Sequence, residues 1–219
     1  MAQQERSVRT RRAVLEAAAE VFAERGYAAA TVADILTRAG VTKGALYFHF
    51  DSKEDLAEGV LGEQTAQELV PQGLKLQEWV DSGMVLAYRL PRDAVLRAGA
   101  RLSTDRRGRE LYGSAFPLWV DFSISLLTEA QERGEVLPHV NPRETAEMMV
   151  GAFHGVQLFS QLTTDWQDVE VRVSTLFRHV LPTISAPALL SGLDTAPDRG
   201  ARVTAELESR RVSTTASAG

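Results

Sequence analysis

Between Thr31 and Phe50 the chain reads TVADILTRAGVTKGALYFHF, and its second half gathers polar chemistry onto a short stretch. Thr42, Lys43, Tyr47 and His49 supply a hydroxyl, an ammonium, a phenol and an imidazole. On a helix Lys43 and Tyr47 lie four apart and share a face. Gly44 and Ala45 lack bulk, so the backbone of such a helix can come close to a flat partner. That combination suits phosphate oxygens and base edges better than it suits bond breaking. Nearer the N-terminus, Arg6, Arg9, Arg11 and Arg12 stand against Glu5 alone.

The catalytic alternatives are poorly served. The chain has no cysteine, no G-x-S-x-G elbow and no phosphate-cradling glycine loop. His49, His139, His154 and His179 show no compact ligand spacing, so neither a metal nor another cofactor is expected. His154 reads as a satisfied core histidine or a polar pocket group. The net charge of −5 opposes a polyanionic partner as a sum, but its distribution matters more. Residues 1–56 hold eight Lys and Arg and eight Asp and Glu, so the whole excess of acid falls in the remainder. No apolar signal core opens the chain, and no stretch approaches the roughly 20 apolar residues of a membrane span. These features predict a soluble, cytoplasmic protein.

Positioning these side chains requires helices, and helical periodicity runs through the sequence. Val14, Leu15, Ala18, Val21 and Phe22 draw one apolar stripe, closed by Arg25 and a left-handed Gly26. Thr31 with Asp34 forms a capping box for a short second helix, whose inward face is Val32, Ile35 and Leu36. Ala33 is small where this helix would meet the next, and Gly40 breaks it. Thr42 caps a third helix through about His49, with Val41 and Leu46 inward and Phe48 and Phe50 in the core. Ser52 with Asp55 opens a fourth helix carrying Leu56, Val60 and Leu61. Further helices are expected near 74–90, 92–104 and 115–133. A long helix runs from the Asn141-Pro142 start to about Thr163, and another over Asp168–Leu181, before Pro182. Residues 188–208 read as one or two short helices around Gly192 and Pro197, and 209–219 as a disordered tail. The expected fold is all-α, with a three-helix module containing a helix-turn-helix over 1–51 and a larger helical domain over 52–208.

The run from Thr31 to Leu56, above all VTKGALYFHFDSKEDLA, resembles the DNA-binding signature of the TetR family. The wording TKGALYFHF followed by SKEDLA is most similar to the actinobacterial γ-butyrolactone autoregulator receptors. The local run Phe116-Pro117-Leu118-Trp119 resembles their stretch bearing a ligand-pocket tryptophan. The resemblance implies a homodimeric repressor on double-stranded, pseudo-palindromic operator DNA, controlling secondary metabolism. A small γ-butyrolactone or butenolide would release it. A sensor of antibiotics or biosynthetic intermediates is the second reading within the same family, and an enzyme is the least favoured.

The DNA-contacting set is then Arg9, Arg11, Thr31, Thr42, Lys43, Gly44, Ala45, Tyr47, His49 and Lys53, with Arg9, Arg11 and Lys53 at phosphates. The ligand set is Trp119, Gln64, Thr163, Gln157, Ser160 and Phe153. A lactone carbonyl or hydroxyl needs polar partners once it is buried. Thr163 and Ser160 have the alternative of bonding to their own helix. Ligand binding is expected to swing the fourth helix, which runs from Ser52 toward Gln64. Met148, Met149, Ala152, Phe153, Val156, Phe159 and Leu162 wrap the long helix well beyond one narrow stripe, as expected of a helix buried by its own core and also by a partner subunit, or of the buried central helix of a monomer.

Overall fold

The computed structural model describes residues 2–63, 69–105 and 108–217. Those residues fold as helices, with no strand among them beyond an isolated antiparallel bridge between Val136 and Ser185. The chain divides into two compact units, one of residues 1–66 with 93–117 and one of residues 67–92 with 118–219. The first unit thus takes in more than the 1–51 module that the motifs mark out.

In the first unit, α1 (Ala2–Ala29) buries the expected stripe, with Val14, Leu15, Ala18, Val21 and Phe22 all at 3% exposure or less. Its regular course stops at Gly26, where φ is 75° and ψ 168°. This is not the left-handed helical cap expected there but a more extended region that, in practice, only glycine occupies. Arg101 of α6 (Ala94–Thr104) fills the space beside it and donates to the carbonyls of Ala23 and Glu24 at 2.8 and 3.0 Å. A side chain reaching from another helix thereby satisfies acceptors that the end of α1 leaves open.

Helix α2 (Val32–Ala39) begins as its sequence dictates. Thr31 Oγ1 accepts from the Asp34 N–H at 3.1 Å, and the Asp34 carboxylate accepts from the Thr31 N–H at 3.2 Å. Gly40, left-handed at φ 64°, closes it. Ile35 is fully buried, whereas Ala33 is exposed and marks no helix contact. Thr42 caps α3 (Lys43–Tyr47), accepting from the Ala45 N–H at 3.2 Å; the helix stops two residues short of His49. Ser52 caps α4 (Lys53–Glu63), which sets Leu56, Val60 and Leu61 into the core. The short α7 (Gly108–Tyr112) was not anticipated; it places Tyr112 against Tyr27, with ring centroids 4.6 Å apart.

The second unit is built around α5 (Lys75–Arg89). Leu74 gives it no side-chain cap, and the buried Glu135 carboxylate accepts from the Leu76 N–H at 2.7 Å instead. Trp79 donates its indole N–H to Ser123 of α8 (Phe116–Glu132) at 2.6 Å. The same ring meets Phe177 of α10 (Val169–Ile184) edge to face at 5.3 Å. Gly83 makes room for Phe177, because a Cβ there would lie 2.7 Å from the ring. Helix α10 continues through Pro182 instead of ending before it.

Beyond a 3-10 turn at Pro187–Gly192, α11 (Arg199–Ser217) replaces the short helices and much of the disordered tail expected there. Its start is fixed by the Arg199 guanidinium, which grips Asp81 of α5 through two hydrogen bonds at 2.8 and 2.7 Å. Val203 then packs with Val70 and Val85. Past Leu207 the helix turns only exposed side chains outward up to Ser213.

The corner between α9 (Pro142–Thr164) and α10 is the most constrained turn of this unit. Asp165 and Trp166 both take positive φ, at 50° and 70°, which L-residues adopt only when their surroundings hold them. Asp168 does the holding. Its carboxylate accepts from Ser160 Oγ at 2.6 Å and Thr164 Oγ1 at 2.8 Å, and it pairs with Arg172 at 2.7 Å. The Arg172 guanidinium, then these hydroxyls, hold the carboxyl well below the ordinary carboxylate range. A depressed carboxylate stabilises the fold fully above its unfolded pKa, about 3.9, and loses that contribution as pH falls below it toward the folded value. Asp168→Asn should therefore lower the melting temperature by a constant amount from pH 7 to pH 5, and by progressively less below about pH 4. A gap between variant and wild type that ignores pH would contradict this assignment.

Candidate functional site

Helix α3 has only five residues, so its geometry comes from its neighbours and not from its own hydrogen bonds. The Thr42 cap fixes its start, and Leu46, fully buried, fixes its inner face. Phe50 follows into the core at 2% exposure. Helix α2 is in turn clamped to α1 by Arg38, which donates to Glu20 and to both oxygens of Glu24, each at 2.9 Å. On this frame Thr42, Lys43, Gly44 and Tyr47 are exposed, and Ala45 and His49 half-buried. The Lys43 ammonium lies 5.7 Å from the Tyr47 ring centroid, which puts the cation and the phenol on one face as their spacing predicts. A Cβ built on Gly44 would meet nothing within 4 Å, so this face is open.

The charge balance of this region takes on meaning once its partners are known. Glu16 pairs with Arg12, Glu20 and Glu24 with Arg38, and Asp34 with Arg25. The Thr31 hydroxyl, with its N–H and Arg25 adding to the effect, holds the Asp34 carboxyl below its ordinary range. Glu54 accepts from the Tyr27 hydroxyl, and Asp55 from the Asp51 N–H. Six acids of this region are thereby engaged inside the unit. Arg6, Arg9 and Lys43 hold no carboxylate among the described residues. A module neutral by count thus presents uncompensated cations, the property that phosphate binding depends on.

Three of the expected DNA contacts stand differently. Lys53 is half-buried, donates to the carbonyls of Tyr27 and Ala30 at 2.9 and 3.0 Å, and lies 4.1 Å from the Tyr27 ring centroid. Its ammonium braces α4 against the end of α1 and is not presented as a phosphate clamp. Arg11 sits 3.7 Å from Glu63 with its guanidinium 5.3 Å from the Phe50 centroid, although it is nearly half exposed. Thr31 is exposed, yet its hydroxyl is engaged in the α2 capping box. Phe48 reverses its expectation altogether. Its hydrophobicity predicts a core position, and it is 78% exposed. Phe48 and Phe50 are two apart, so they occupy different faces where a helix runs out, and only the second turns inward.

The expected ligand residues do not converge on one set of free polar groups. Gln64 lies outside the described residues. Ser160 is fully buried but engaged by Asp168, and the Thr163 hydroxyl is exposed and donates to the Phe159 carbonyl at 2.7 Å. Both therefore serve their own helices. Gln157 is buried, with its amide nitrogen 2.7 Å from Nδ1 of His154, whose ring is held below its ordinary pKa by burial and so stays neutral near pH 7. Trp119 is half-buried and meets Phe122 edge to face at 6.3 Å; Phe153 is half-buried on α9.

The outward side of α9 and α10 is a different kind of surface. Met148, Phe159, Leu162 and Val171 are 51 to 77% exposed there. An open groove of about 750 Å³ runs between the two helices past Ala152, Gly155, Val156 and Leu176. Among the described residues, no cluster of His, Cys, Asp or Glu could hold a metal ion, and no helix is long and apolar enough to cross a membrane.

Comparison with known proteins agrees with the geometry of the first unit. Residues 14–60 match the family of bacterial regulatory proteins called the tetR family. The A-factor receptor protein of Streptomyces griseus is 41% identical over 194 residues, which cover 87% of this chain and 69% of that protein. A TetR regulator from Streptomyces fradiae, TylP, superposes with a TM-score of 0.86 at 38% identity, covering 92% of this chain and 98% of its own. A gamma-butyrolactone receptor, described as ArpA-like, superposes with a TM-score of 0.66 at 28% identity, over 92% of this chain and 98% of its own. An all-helical chain that carries a capped helix-turn-helix and shares this much sequence with such relatives belongs to the TetR family and is a transcriptional regulator of that family.

Proposed function

We propose that this protein is a dimeric cytoplasmic repressor that holds pseudo-palindromic operator DNA and lets it go when a small γ-butyrolactone or butenolide binds. The observation that carries the reading is the exposed face of α3, where Lys43 and Tyr47 flank an open backbone at Gly44 on a rigidly capped support. Residues 1–51 bind the duplex and residues 52–208 sense the ligand and dimerise. In a dimer, two copies of α3 enter successive major grooves about 34 Å apart. Lys43, Gly44, Ala45 and Tyr47 face base edges and the adjoining phosphates, Thr42 and His49 flank them, and Arg9 reaches the backbone. Dimerisation uses the apolar groove face of α9 and α10, whose exposed side chains would cost too much left in water across a whole helix pair.

The effector class rests on the similarity to the A-factor receptor protein and to a gamma-butyrolactone receptor. The half-buried Trp119 supplies a flat apolar wall with one N–H donor. Phe153 adds a second aromatic surface, and the Gln157 amide the polar partner that a buried lactone oxygen requires.

Two outcomes follow. The Lys43→Ala, Tyr47→Ala double variant should lose at least about 30-fold in affinity for a duplex selected by the wild-type chain, since each contact is worth about 1–3 kcal/mol. Its melting temperature should stay at the wild-type value, because both side chains are exposed. Undiminished affinity in a folded variant would refute the assignment of α3. Synthetic γ-butyrolactones or butenolides should dissociate the complex in gel-shift assays. Trp119→Ala should keep its DNA affinity yet need at least about tenfold more ligand, the loss of one buried aromatic contact. If saturating lactone leaves the complex intact, the effector class is wrong while the DNA reading stands.

A further inference from the structure

Phe48 has the highest exposure of the large hydrophobic residues described, 78% of its surface. Among the described residues its ring has one aromatic neighbour, His49, which it meets edge to face with centroids 5.0 Å apart. Such a ring in water lacks the burial that normally accounts for a phenylalanine, and its place in the fold matters. Helical geometry sets Phe48 directly above Gly44, since its N–H bonds the Gly44 carbonyl at 3.1 Å. Going round the helix at 100° per residue, the outward arc reads Lys43, Tyr47, Gly44, Phe48. The inward arc belongs to Leu46, which is fully buried. Gly44 therefore forms a bare notch, with the Tyr47 ring on one side and the Phe48 ring at its far end.

A notch of that shape is polar on one flank and apolar on the other. The polar flank fits phosphate oxygens and hydrogen-bonding base edges. The apolar flank has one matching feature in the major groove, the 5-methyl group of thymine, which is also what distinguishes T from C at that edge. We infer that Phe48 is a specificity-determining residue that reads a thymine methyl in each operator half-site, packed against the bare backbone of Gly44. The inference rests on the DNA-binding reading of α3 and adds to it a base preference. The deoxyribose is the other apolar surface within reach, but a sugar contact would be blind to sequence.

The two are separated by removing the methyl alone. The wild-type full-length chain is used to select duplexes from a random-sequence pool, and the consensus is remade with deoxyuridine at each thymine in turn. For the wild-type chain, one position per half-site should weaken binding about fourfold when its methyl is absent, the value of one buried methyl group. Phe48→Ala should bind the thymine operator about fourfold or more weakly per half-site and be indifferent to deoxyuridine at that position. Phe48→Leu should recover part of the methyl sensitivity. Phe48→Ala should melt with the wild-type chain, because so exposed a ring supports little packing.

A wild-type chain indifferent to deoxyuridine at every position, with Phe48→Ala still weaker on the thymine operator, would identify a sugar contact and overturn the inference. So would wild-type affinity in Phe48→Ala. Both outcomes leave the DNA-binding role of α3 untouched. If the wild-type chain selects no duplex at all, that broader reading falls, and this one with it.

Discussion

A five-residue helix makes too few internal hydrogen bonds to hold itself in water, so whatever α3 presents must be held from outside. The functional surface of the first unit follows from this constraint. Thr42 caps the helix at one end, Leu46 anchors its underside, and Phe50 pulls the exit into the core. The preceding helix that sets its angle is itself pinned, through Arg38, to two carboxylates of α1. Because support comes only from beneath, the outward face can consist of residues chosen for chemistry. Gly44, a poor helix former, is tolerable there for that reason.

The same carboxylates that brace the module also decide its electrostatics. Arg12, Arg25 and Arg38 and the acids that they engage cancel one another in the field at the surface. What remains outward is set by the cations that the bracing leaves out. This reconciles a net charge of −5 with a polyanionic partner. The acid excess lies in the residues after 56, and the cations without carboxylates lie in the first 43.

Much of this was legible in the sequence because the rules involved are local. The capping box at Thr31–Asp34, the Ser52 cap, the Gly40 turn and the Asn141-Pro142 start each depend on residues within a few positions and form as read, while Asp55 reaches back to the Asp51 N–H instead of closing a second box. The features that were missed depend on partners far along the chain. Helix α11 begins where Arg199 finds Asp81, 118 residues away, and α5 is capped by Glu135 from 59 residues away. Lys53 looked like a free cation because nothing in its neighbourhood shows that two carbonyls of the α1 terminus wait for it. Ser160 looked like a pocket hydroxyl because its acceptor sits across a left-handed corner that no local rule announces. Phe48 went the other way, since hydrophobicity alone cannot say which of two neighbouring phenylalanines turns inward as a helix ends.

The central claim is that α3 and the start of α1 meet phosphates with cations that no carboxylate among the described residues neutralises. The most direct measurement is the slope of log affinity against log salt for the full-length chain on its selected duplex. Neutralising each phosphate contributes about 0.9 to that slope. Arg6→Ala, Arg9→Ala and Lys43→Ala combined should flatten it by up to about 2.7 per bound chain, whereas Arg12→Ala, whose charge is already paired, should leave it nearly unchanged. A triple variant with the wild-type slope, or an Arg12 variant that flattens it as much, would show that the field at the DNA surface is not the one described.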